Sequence, residues 1–224
     1  MKKLLFVFII LNIVALYSIE YKEFDAFSQP YIPCDSNSVN QGRLMFSIGS
    51  VALAVTGSYY AVKTAWWYEQ SVDFHFDNGA DLRYSKNLDK VAHLYGGYIS
   101  QDIYYRSLLW SNVEKEKALW ISFGLSCFLQ VMIDVKDAYA PDWGFSMYDV
   151  GAGVVGASYP ILQHYYPSLR DFNFKMSYFY RDDDYTRYVN MVPENWLDEA
   201  WIEDYPNQTY WLCWNVNSVL PKEA

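Results

Sequence analysis

A chain of 224 residues with a net charge of −9 is long enough for one domain with a sizeable core and too short for two large ones. With no stripe of clustered Lys and Arg, that charge excludes nucleic acid as a partner and disfavours anionic headgroups. Hydrophobic residues make up 52% and aromatics 20%, yet a mean hydropathy of −0.11 argues against a largely lipid-embedded chain, so a division between membrane and water is expected.

At the N-terminus Lys2 and Lys3 precede an uncharged apolar run from Leu4 to Tyr17, followed by Ser18. This is the pattern of a secretory signal, and residues 1–18 are read as one. An uncleaved anchor is the alternative, because Leu16-Tyr17-Ser18 is a poor small-x-small site. No Cys ends the run, and Cys34 follows Pro33, so N-terminal lipidation is not expected. Loss of 1–18 would move the charge from −9 to −11, since it removes two lysines and no acid. Export to the cell envelope follows, with periplasmic portions and membrane or envelope components as partners.

Residues 19–42 are polar, carry Pro30 and Pro33, and read as an exposed leader. A helical domain is expected over 43–167. Its first helix is uncharged from Leu44 to Val62, between Arg43 and Lys63, with Tyr59, Tyr60, Trp66 and Trp67 at its end, the pattern of a membrane span. Residues 69–88 form a connection with a turn at Asn78-Gly79. Further helices are expected at Leu88 to Trp110, Glu116 to Asp134 and Met147 to Tyr165. Beyond Pro167, an aromatic-rich extension (168–224) alternates Phe172, Phe174, Met176, Tyr178 and Tyr180 with mostly polar residues, and Tyr210, Leu212, Trp214 and Val216 repeat the pattern. The fold class is therefore mainly α, a four-helix membrane-associated bundle with a small C-terminal antiparallel β element. Among the cysteines, Cys127 reads as a small buried hydrophobe, and Cys34 and Cys213 could pair in an oxidising compartment.

Residues four apart share a helix face, which aligns Asp89 with His93, Gln130 with Asp134, and Asp102 with Arg106 as a pair on the opposite side. Asp137 falls near Asp134, and Asp149 is followed by Gly153, Gly156 and Pro160. A carboxylate inside an apolar bundle must be paired, hydrogen-bonded or protonated, so Asp89, His93, Gln130, Asp134, Asp137 and Asp149 are expected to meet as a polar cluster. Three readings stand: a metal site on His93, Asp134, Asp137 and Asp149; acid/base chemistry with His93, Asp134 and Asp149 as catalytic candidates; or a structural knot in which Asp89 and Asp149 cap their helices. The residues indicate no particular cofactor. His75, between Phe74 and Phe76, and His164, at a helix end, read as packing and helix-terminus residues.

The ordered set Phe74-His75-Phe76, Leu88-Asp89-Lys90-Val91-Ala92-His93, Ile133-Asp134-Val135-Lys136-Asp137, Trp143-Gly144-Phe145-Ser146 and Asp149 resembles the YfiM-type family of periplasmic lipoproteins, a domain of unknown function. Its order of Asp-Lys-x-x-His, acid and Asp is more distantly similar to VanZ-like membrane proteins, which the resemblance links to the membrane and cell-wall lipids. Two positions depart from the family pattern: Asp134 stands where Glu is usual, and Gly153 where Asn is usual. The resemblance implies an envelope protein and leaves two functions open. One is a non-catalytic structural or binding protein. The other is a membrane-interface hydrolase or transferase acting on a lipid-linked substrate.

Overall fold

Among the described residues, four α-helices are followed by one antiparallel strand pair, and they are α1 (Gln41–Trp66), α2 (Leu88–Trp110), α3 (Lys115–Asp137), α4 (Met147–Tyr165), β1 (Phe172–Tyr178) and β2 (Gln208–Trp214). The computed structural model describes residues 38–66, 71–79, 82, 86–179 and 205–216. The signal run, residues 19–37 of the leader with Cys34, and the acidic connection 180–204 lie outside the described residues. Helices α2 and α4 have the bounds expected from the sequence, and α3 runs three residues beyond the expected Asp134.

Local chemistry sets the helix ends. Lys86 and Asn87 both have positive φ, 54° and 64°, which turns the chain into α2. At the other end Asn112 (φ 64°) reverses it, with Val113 N–H donating to Leu108 O and Asn112 N–H to Leu109 O. Those two bonds are a Schellman closure, with Asn in the left-handed position usually held by Gly. Helix α4 starts at Ser146, whose hydroxyl accepts from Asp149 N–H at 3.2 Å.

Helices α2, α3 and α4 pack around one another, while α1 joins at the C-terminal end of α2. There Asn40 N–H donates to Ser111 O, Arg43 donates to Trp110 O and lies over its ring, and Phe46 packs edge-on against the same ring. The apolar core is a small cluster of Tyr105, Ala118, Leu119 and Ile161 at that end. Above it α2 and α4 cross in backbone contact. A Cβ on Gly97 would stand 2.0 Å from Gly153 O, and one on Gly156 would stand 1.8 Å from Leu94 O. Only glycine permits so close an approach.

The interior is otherwise polar. Among the described residues sixteen polar or charged side chains are buried, against nine hydrophobic ones. On α3 the buried stripe is Ser122, Ser126, Gln130 and Asp134, spaced by four, whereas Trp120, Ile121, Leu125, Phe128 and Met132 are exposed. Hydroxyls and amides carry the helix contacts: Ser100 Oγ lies 2.6 Å from Ser126 Oγ, Ser126 donates to Gly97 O, and Gln101 Nε2 donates to Ser122 Oγ.

The strands pair antiparallel with Phe174 opposite Leu212, Met176 opposite Tyr210 and Phe172 stacked on Trp214. This is the alternation expected from the sequence. The pair lies over the groove between α2 and α4, where Phe174 meets Tyr98 and Tyr159, and Gln163 Nε2 donates to Phe172 O. Tyr210 packs on Tyr95, and burial pushes its phenol up to about 12. Among the described residues α3 is the helix long and apolar enough to cross a membrane, and a third of that stretch is buried. The span expected at Leu44 to Val62 forms part of α1, whose Met45, Phe46, Ile48, Leu53 and Tyr60 are exposed.

Candidate functional site

The first turns of α2 and α4 and the last turns of α3 meet at one end of the bundle. Lys90 is the centre of the site. Its Nζ lies 2.6 Å from Asp89 Oδ2 and 2.9 Å from Asp149 Oδ1, and all three side chains are largely buried. One ammonium thus serves two carboxylates from two helices, and both acids sit in first turns, where the helix dipole favours negative charge. A buried ion pair tolerates desolvation only with such geometry.

One turn along α2, His93 Nδ1 lies 3.1 Å from Gln130 Oε1 of α3. Gln130 is held in turn by the glycines around it. A Cβ on Gly153 would come within 2.6 Å of Gln130 Cγ, and one on Gly96 within 3.3 Å of Gln130 Nε2. Where the family resemblance leads one to expect Asn, Gly153 therefore opens the space that an amide from α3 occupies.

Asp134 has a different role from the other acids. Its Oδ1 accepts from Ser146 N–H at 3.2 Å, at the N-terminus of α4. Ser146-x-x-Asp149 has the spacing of a capping box, in which the fourth residue would normally bond back to the cap N–H. Here Asp149 turns to Lys90, and Asp134 of the preceding helix takes over that bond. The caps expected of Asp89 and Asp149 are thus corrected. Asn87 precedes α2 without a side-chain cap, Ser146 caps α4, and the two acids are first-turn partners of Lys90.

The structure brings Asp89 and Asp149 together through Lys90, joins His93 to Gln130, and sets Asp134 on the α4 backbone. Asp137 is the last residue of α3. Among the described residues no three His, Cys, Asp or Glu groups are placed to hold a metal ion. The pairing of Asp102 with Arg106 is present at 2.8 Å. Lys90 was missed as a member of the cluster, although a lysine beside Asp89 in the first turn of a packed helix offers that carboxylate a counter-ion. Ser146 was likewise missed, although Ser three residues before Asp is a recognisable helix start.

The remaining histidines tie elements together. His75 Nε2 lies 2.6 Å from Trp143 O, and Phe76 bridges Phe145 in parallel, so residues 71–79 are laced to the α3–α4 connection. The expected turn follows, with Gly79 at φ 90° and its N–H bonded to Asp77 Oδ2. At the opposite end His164 Nε2 lies 2.8 Å from Glu116 Oε1, linking α4 to α3.

In comparison with known proteins, residues 77–165 match the family model described as Predicted periplasmic lipoprotein (DUF2279). No curated protein and no solved structure matches the chain.

Proposed function

We propose that this chain, whose residues 77–165 match the model of a predicted periplasmic lipoprotein family, is a non-catalytic, membrane-associated protein of the envelope in which the Asp/His/Lys network fixes helix register. The observation that carries this reading is the inversion of α3. Phe128 is 63% exposed while its neighbours Ser126 and Gln130 are buried, the reverse of a water-soluble bundle helix. Bonded Ser and Gln side chains inside, with Trp, Phe, Leu and Met outside, suit helices that meet in lipid. The apolar residues exposed around α1 support the same reading. At the candidate site, Lys90 engages Asp89 and Asp149, Gln130 engages His93, and Asp134 binds backbone, so the reactive groups are spent on holding helices together.

The experiment is His93→Ala in the full chain, followed by thermal unfolding, membrane fractionation and complementation of a deletion strain. A lower unfolding temperature with membrane partition and complementation retained is expected. A fully folded variant that loses all complementation would overturn the non-catalytic reading in favour of the hydrolase or transferase.

A further inference from the structure

Independently of the membrane reading above, we infer that residues 71–79 form a pH-sensitive latch on the α3–α4 connection, closed while His75 carries a proton on both ring nitrogens and loosened when the ring is neutral. Both nitrogens of this ring meet main-chain carbonyls. Nδ1 lies 3.1 Å from Asp73 O within the strap, and Nε2 lies 2.6 Å from Trp143 O on the connection. A carbonyl oxygen accepts and never donates, so each contact is a hydrogen bond only when that nitrogen carries a proton. The neutral ring has one N–H and satisfies one carbonyl, leaving a nitrogen lone pair against the other. The remaining histidines are placed differently. His93 faces an amide, which can present either its oxygen or its NH2 to the ring, and His164 meets the Glu116 carboxylate through one nitrogen.

The latch closes on the junction that carries part of the polar cluster. Its backbone donates Val72 N–H to Tyr139 O, His75 N–H to Ala138 O and Asp77 N–H to Phe145 O, and His75 O accepts from Phe145 N–H. The approach is so close that a Cβ on Gly144 would stand 2.6 Å from Asp77 N. Phe145 precedes Ser146, whose N–H binds Asp134. The ionisable residues nearest in chain to these contacts are Asp73 and Asp77 on the strap, and Lys136, Asp137, Tyr139 and Asp142 at the end of α3 and on the connection. With four carboxylates against one ammonium, these surroundings suit an imidazolium. The docked strap therefore binds a proton that the released strap gives up. By linkage, docking strengthens as pH falls and weakens as pH rises through the imidazole range, about pH 5 to 8.

The test is amide hydrogen exchange of the full chain in one detergent, read by mass spectrometry across about pH 5 to 8, with protection expressed relative to the chemical exchange rate at each pH. Peptides covering 71–79 and 138–146 should lose protection by about tenfold from the acid to the alkaline end, the worth of one charge-assisted hydrogen bond. Peptides around Tyr105, at the other end of the bundle, should not change. His75→Gln keeps a side-chain N–H donor but does not titrate, and should show no such dependence. A second measurement needs no variant and keeps the test decisive should that one not fold. Nitrogen NMR shifts of the His75 ring should report two N–H groups while the strap is protected and one after it has loosened. Strap protection that is flat with pH in the native chain would overturn the latch. So would a slope that survives in His75→Gln, since another group would then carry it, and so would a neutral ring in a fully protected strap.

Discussion

Lys90 bonds to two carboxylates on two helices, and its removal would leave both buried without their shared cation. Lys90→Met should therefore cost about 3–5 kcal/mol, the usual penalty for breaking a buried ion pair from one side. Adding Asp89→Asn and Asp149→Asn should restore much of that loss, and thermal unfolding of the single and triple variants in one detergent measures both. Ser146→Ala should cost about 1 kcal/mol through the lost cap, less than Lys90→Met. At this scale the sequence shows which residues must be satisfied, because Asp89, Asp149 and His93 are polar groups in apolar helices. It does not show which groups satisfy them. That depends on the rotation of α2 against α4, which the Gly97, Gly153 and Gly156 contacts set across more than fifty residues of chain.

The helices themselves were legible from their long runs of apolar residues, whereas Asn87, Asn112 and Ser146, which fix the ends of α2 and α4 by turn or cap chemistry, went unread. The strand register was legible for a similar reason, since alternation fixes which side chains share a face. The inversion of α3 was harder to read. Serines 122 and 126 only dilute an apolar run when seen in one dimension, and their role emerges when Ser100 and Gln101 are placed opposite them. Glycines provide the clearest test at this scale. Gly156→Ala drives a methyl into Leu94 O and should separate α2 from α4, whereas Gly151, with open space around it, should accept Ala with a gain of up to about 1 kcal/mol in helix propensity. Chemical denaturation should move the two midpoints in opposite directions.

Across the whole molecule, the charge of −9 and the uncharged face of α3 lead to an expectation about lipids. Binding to phosphatidylcholine vesicles should be nearly independent of salt and should weaken when anionic lipid is added, the opposite of a basic peripheral protein. Phe128→Asp should weaken vesicle binding roughly tenfold or more, as expected for losing one buried aromatic, and should leave the fold intact because Phe128 is exposed. Vesicle flotation across a salt series measures both effects. A mean hydropathy near zero conceals such an arrangement, because averaging cancels an apolar exterior against a polar interior.

The strap formed by residues 71–79 bears on where the domain can be cut. The family match begins at residue 77, yet Val72 N–H donates to Tyr139 O, His75 N–H to Ala138 O, and Phe145 N–H to His75 O. A fragment trimmed to the matched segment would strip these partners from the α3–α4 junction, where Asp134 and Ser146 meet. The hydrogen-bonded structure around the α3–α4 junction thus extends upstream of the matched segment. Proteolysis between 72 and 76 should loosen the junction that holds Asp134 in place, even though no residue of the polar cluster has been removed.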